Sequence, residues 1–437
     1  MARPQPPEGV GPLPARVGRL PEGVGRPPRL RRTGAVLTSL SAMIATTVVS
    51  GPAFAAGAGG PCTLERTGAH HSEGVDTWNA GYPRPARTLH AAMIFLSFPD
   101  ATPKVTPRRL AADHIPATTA FFRRASYGQF RLRVHAAKRW ITMPESSTSY
   151  AIKRDWNAGR RAAYLRDAIA AADPSIDFGR YDVVYLVADP DAPGVDADAT
   201  KVVNFEQPLR ADGVELRRLV TVFENHPPDR NVLAHETGHV FDLPDLYHRP
   251  KIPDGEGDWD TYVGDWDLMG SQFGLAPDPF GWHKWKLGWL RPRQVQCVRA
   301  PGATLHTLEP VDAPMAGGSP VDDSRTRLVV VRTSATTALA IEARGPYGND
   351  AATCTEGVLV YRVRNDTASG DGPIEVLDGH PGSGACWNES VYPELADAPL
   401  GVGETLSARQ DNVRVSVTGR TTGGGWTVKV DRKPRPT

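Results

Sequence analysis

The chain of 437 residues has only four cysteines and six methionines, and its charges nearly cancel, with 50 Lys and Arg against 49 Asp and Glu. Without a basic excess or stripe, nothing argues for a nucleic-acid partner. No two of Cys62, Cys297, Cys354 and Cys386 stand two to four residues apart, which excludes a zinc-thiolate site. No long internal repeat is visible. Only one uncharged run approaches membrane length, Thr33 to Ala55, and Gly, Ser and Thr dilute it. Arg29, Arg31 and Arg32 precede that run, and Ala53-Phe54-Ala55-Ala56 closes it in a small-x-small pattern. We read a secretory signal peptide cleaved near Ala55, with no stable membrane span in the mature chain.

Residues 1–32 repeat Pro, Gly and Arg and are expected to be a disordered leader. They are long for a segment ahead of a signal, so translation is expected to begin further in. The Arg31-Arg32 pair is compatible with a twin-arginine export route. Residues 1–55 hold seven arginines and two glutamates, so the remainder is mildly acidic, at −4. An even, sparse set of cysteines in an exported chain implies two disulfides. Of the three pairings, Cys354–Cys386 within the last region and Cys62–Cys297 bracketing the middle one are favoured.

Residues 56–86 are polar and punctuated by Gly and Pro, an extended N-terminal arm too short for a folded pro-domain. His70 and His71 lie on it, where tail histidines are usually inert towards metal. From 87 to 291, apolar runs alternate with amphipathic segments. Thr88–Phe98 and Tyr181–Val187 read as buried strands, Pro107–Arg124 and Ala158–Ala172 as helices, and residues 201–223 as a β pair across Ala211-Asp212-Gly213. That alternation predicts a mixed α/β layer fold. From 292 to 437 short apolar runs alternate with turn residues, which predicts an all-β, sandwich-like C-terminal domain. Two acidic loops, Asp189–Asp198 and Asp254–Asp267, read either as structural calcium sites or as ordinary solvated loops.

The chemistry concentrates in Asn231–Tyr247. His235 and His239 are four apart on an apolar helix, one turn above the other, so both imidazoles can reach one zinc ion. Glu236 is set to act on water rather than to bind metal. Pro244 ends the helix, and Asp245 can return as a third ligand. Met269 follows in a Gly-bounded turn, where a methionine can floor the site. Tyr247 and Tyr262 are candidates for supporting an oxyanion.

His235-Glu236-x-x-His239-x-x-Asp242-x-x-Asp245 resembles the extended metzincin motif with aspartate as third ligand, and Met269 resembles its Met-turn. The stretches Ala125–Gly128, Asp177–Asp182, His235–Tyr247, Gly264–Gly270, Lys284–Trp289 and Glu356–Tyr361 together resemble the immune inhibitor A-type secreted bacterial metallopeptidases. Snapalysin-like enzymes share the Asp-terminated motif. The resemblance implies a metzincin-like catalytic domain with a mixed sheet and an active-site helix. It also implies zinc on His235, His239 and Asp245, with Glu236 as general base in cleaving protein or peptide substrates. The chain departs from the pattern twice: Asp242 stands where the family carries glycine, placing a second carboxylate near the metal, and a long pro-domain is missing. The alternatives are an exported, catalytically inactive binding protein, against which the intact Glu236 speaks, and a zinc hydrolase of non-peptide amides or esters.

Overall fold

A computed structural model of the chain describes residues 62–70, 72–249, 259–315 and 323–434. The leader and signal-peptide readings, His71 and the Asp254–Asp258 part of the second acidic loop lie outside the described residues. The fold is mixed α/β, with three sheets and few helices. Among the described residues no helix is long and apolar enough to cross a membrane.

The first sheet is built from β1 (Thr88–Ser97), β2 (Arg131–Thr142), β3 (Val183–Ala188), β4 (Lys201–Ala211) and β5 (Val214–Val222), in the order β2-β1-β3-β5-β4. Four strands run parallel, and β4 pairs antiparallel with β5 as an edge strand. Asp212 and Gly213, both at positive φ, make the tight turn between those two strands. Because successive side chains point to opposite faces, β1 sends Ala91, Met93 and Phe95 into one core and Ala92, Ile94 and Leu96 into another. α1 (Pro107–Ala125) and α4 (Val232–Val240) cover the first face, and α3 (Ala158–Ala172) covers the second with Leu165, Ala168, Ile169 and Ala172. The short α2 (Ser147–Tyr150) packs beside α3. Burial on both faces is what a largely parallel sheet requires.

The second sheet has the order β11-β10-β9-β8-β6, from β6 (Val295–Val298), β8 (Leu328–Arg332), β9 (Thr337–Arg344), β10 (Gly357–Arg364) and β11 (Ile374–Val376). Its Leu328, Val330, Ala340, Leu359 and Tyr361 join the core that also holds α4 and α5 (Gly281–Leu287). Its opposite face, with Val329, Ile341 and Val360, shares a third core with a third sheet. That sheet has the order β12-β13-β14-β7, from β7 (Gly302–Leu308), β12 (Thr405–Ala408), β13 (Val413–Arg420) and β14 (Trp426–Arg432), and the four-residue α6 (Pro393–Ala396) precedes β12. No packing break falls at residue 292: the second sheet shares its core with the first, and residues 55–437 form one compact unit.

Arg344 on β9 stitches these layers. It is fully buried, and its guanidinium donates to Glu342 (3.1 Å), Asp350 (2.9 Å) and the carbonyls of Trp266, Ala276 and Asp278. A buried cation persists only when its donors are matched in this way. Both disulfides join the favoured cysteines, Cys62–Cys297 and Cys354–Cys386.

His114 on α1 is 5% exposed, and burial pushes its imidazole down to about 4. The unfolded chain takes up that proton near pH 6.5 and the folded chain does not. Stability is therefore present above pH 6.5 and is lost as pH falls towards 4, by on the order of 3 kcal/mol from this residue. Denaturant midpoints measured from pH 7 to pH 4 are expected to fall less steeply for His114→Leu than for the native chain.

Candidate metal centre

α4 runs for nine residues and is buried along its whole length. Its far side is fixed to β3 where the Thr237 hydroxyl meets the Tyr185 hydroxyl at 2.8 Å. The helix ends in a Schellman turn: the Leu243 amide donates to the Gly238 carbonyl at 3.1 Å and the Asp242 amide to the His239 carbonyl at 3.1 Å. That turn requires a left-handed residue, and Asp242 takes the position at φ 69°. Glycine holds such a position without strain; a side chain there costs about 1–3 kcal/mol. The reversal then carries Asp245 back over the helix.

The result is a convergent triad. Asp245 Oδ1 lies 3.2 Å from His235 Nε2 and 3.1 Å from His239 Nε2. The other ring nitrogens are committed: His235 Nδ1 bonds the Leu268 carbonyl at 2.9 Å and His239 Nδ1 the Leu243 carbonyl at 2.8 Å. Carbonyl acceptors at Nδ1 fix the proton there and turn both Nε2 lone pairs inward. Asp245 Oδ1 is buried and receives no properly directed hydrogen bond. Three donor atoms thus face a common point. A tetrahedron with zinc–ligand bonds of ~2.0–2.1 Å has edges of about 3.3 Å, close to the separations seen here, and two imidazoles with a carboxylate are a zinc donor set. The residues fit the ion.

The charges agree. Burial lowers a histidine's proton affinity, but the Asp245 carboxylate outweighs it, raising His235 and carrying His239 up to about 10. Burial raises Asp245, and the two imidazoles more than reverse that, holding it well below the usual carboxylate range. A site that draws positive charge this strongly suits a cation.

Glu236 lines the same cleft, of about 680 Å³, with the triad and Tyr247. Its Oε2 accepts from the Val202 amide of edge strand β4 at 2.6 Å, and burial raises its pKa against the pull of the two histidines. Burial, and then the neighbouring Asp245, keep the Tyr247 phenol protonated. Tyr262 is not at the cleft. Its ring packs at a tilt against His248, 4.8 Å between centroids, and fills the space over Gly372, so it is a packing residue. Met269 is fully buried beneath the helix, and a Cβ on Gly238 would stand 2.5 Å from its sulfur.

Asp242 does not bring a second carboxylate to the triad. Its Oδ2 turns away to Lys286 Nζ at 2.8 Å and accepts the Asn79 amide at 2.9 Å. Burial pushes it up to about 6 even with Lys286 beside it. Asp267, not singled out in the sequence, organises the Met-turn by accepting from the Met269 amide (2.8 Å), the Phe280 amide (2.7 Å) and His283 (2.9 Å). Lys286 and Asp267 had one visible signal, charged residues set among tryptophans and leucines. His70 pairs with Asn365 at 2.5 Å and plays no part in the triad. The acids of Asp189–Asp198 do not converge: among the described residues the groups close enough for a metal are His235, His239, Asp245 and, separately, Asp378, His380, Asp397.

Gly238→Ala is expected to push Met269 off its seat and lower stability by about 1–3 kcal/mol, read from the denaturant midpoint. Met269→Ala in the same chain is expected to recover part of that loss.

No protein-family model and no curated protein matches the chain. Among solved structures it is similar to the crystal structure of wild-type OgpA from Akkermansia muciniphila, at 10% identity, over 76% of this chain and 89% of that one, with a TM-score of 0.25. A likeness at that score carries no argument about fold or chemistry.

Proposed function

We propose that the protein is a secreted, zinc-dependent endopeptidase of the metzincin-like, immune inhibitor A type. Residues 87–291 would carry the catalysis, and the β-rich residues from 292 on pack against them in the same core. The observation that carries the reading is the convergence of His235 Nε2, His239 Nε2 and Asp245 Oδ1 beside Glu236 in one cleft. The antiparallel edge strand, the short buried helix and the methionine floor support it, as do the motif stretches that resemble that family. Two disulfides support an extracellular setting.

When bound, zinc supplies Lewis acidity and makes water acidic enough to lose a proton near neutral pH. The remaining work falls to the chain's own side chains. Glu236 takes the proton from the attacking water and later delivers it to the leaving amine. The Val202 amide anchors one of its oxygens and so aims the carboxylate. Its raised proton affinity suits a base that must hold the proton between attack and release. Tyr247, kept neutral, donates to the carbonyl oxygen as charge develops there. β4 lies at the edge of its sheet, so outer backbone groups other than the Val202 amide would be available to an extended peptide.

One zinc per chain is expected by elemental analysis of the purified protein, with casein cleavage that a chelator abolishes. Glu236→Ala is expected to keep the metal and lose cleavage, whereas His235→Ala and Asp245→Ala lose both. A protein that binds zinc but cuts no peptide would overturn this reading. Tyr247→Phe is expected to lower kcat by about 10²–10³-fold with KM little changed, the loss typical of one oxyanion donor. Tyr262→Phe is expected to leave kcat unaltered, since its ring only packs.

A further inference from the structure

The arm at residues 62–86 is not a tail. It is tied at one end by Cys62–Cys297 and threads past the metal-binding turn. The Asn79 amide donates to Asp242 Oδ2 at 2.9 Å. Lys286, buried on α5, reaches the same Asp242 oxygen at 2.8 Å, the Gly74 carbonyl, and Asp76 at 4.0 Å. Trp282 of the same helix donates to the Val75 carbonyl at 2.8 Å. On the other side Glu73 accepts from Asn204 of β4 at 2.8 Å, the strand that also anchors Glu236. One short stretch therefore touches the turn between two metal ligands, the helix beneath it and the strand beside the base.

Asp242 explains why such a stretch is needed. A glycine would adopt the left-handed turn unaided, whereas an aspartate there is strained. We infer that residues 73–79 of the arm, acting with Lys286, clamp Asp242 in the left-handed turn and thereby set the affinity of the His235–His239–Asp245 site for zinc. The inference rests on the zinc-site reading above. Asn79, Gly74 and Lys286 are positioning residues; none lies among the convergent ligands. The arm is then a permanent part of the metal centre, not a removable latency segment.

A clamp and a merely stabilising arm differ in one measurable way. If the arm matters because Asp242 is strained, relieving the strain makes the arm dispensable to the metal. The experiment is a double-mutant cycle on zinc affinity, with apo full-length protein titrated against a chromogenic chelator and folding checked by near-UV circular dichroism. Lys286→Met is expected to weaken zinc binding by about 10–100-fold, the usual effect of losing a group that orients metal ligands. Gly74→Ala probes the arm independently, because a Cβ there would stand 2.6 Å from Asp76 Oδ1 and from His70 Cγ. It is expected to weaken binding in the same direction. In the Asp242→Gly background each substitution is expected to change affinity by less than about 3-fold. Equal effects in both backgrounds, or no effect of either substitution on a folded chain, would overturn the clamp. Should Lys286→Met fail to fold, the Gly74→Ala pair decides alone. A native chain that takes up no zinc would instead overturn the zinc-site reading itself.

Discussion

The chain reversal after α4 is the constraint on which the site depends. Had the helix run on, Asp245 would lie six residues and ~9 Å along the axis from His239, out of reach of any shared ion. The Schellman turn at Asp242 converts that separation into 3.1 Å. The same turn presents the Leu243 carbonyl that fixes the His239 tautomer. A single left-handed residue therefore both brings Asp245 to the histidine pair and orients His239.

That turn is held by charge that the fold has buried around α5. Lys286 is 7% exposed and holds the Asp242 turn; Lys284, two residues away, is fully buried and pairs with Asp278 at 2.5 Å while lying over the Tyr127 ring. Arg344 joins the second sheet to the loop that carries Met269. Buried pairs of this kind add little net stability against an apolar alternative, but breaking one member is costly. Their consequence is geometric: α5, the Met-turn loop and β9 cannot slide without stranding a charge. The candidate ligands inherit that rigidity, since Leu268, whose carbonyl holds His235, sits in the same loop.

Much of the scaffold was legible because apolar periodicity reports burial directly. β1, α3 and the β4–β5 hairpin lie within a residue or two of their expected bounds. The short strands β6, β11 and β12 carried no such signal; at three or four residues, alternation cannot be told from chance. The boundary expected at residue 292 marks a change in sequence texture but not in packing. The two sheets meet across it in one core, and a hydrophobic pattern along the chain does not say which distant apolar face it will cover.

The sequence by itself determined the local chemistry: His235, Glu236 and His239 on one helix, and Asp245 beyond a proline; it favoured one of three disulfide pairings, which the structure then showed. Their spacing along the chain already limits where those atoms can go. Only the tertiary structure decided what Asp242 does. In sequence it reads as a strained residue that brings a second acid towards the metal. In space its carboxylate is drawn away by Asn79 and Lys286, 163 residues before it and 44 after it. It decided the two tyrosines as well, bringing Tyr247 to the cleft and packing Tyr262 against His248. Contacts between residues that far apart follow from how sheets and helices pack, and no local pattern encodes them.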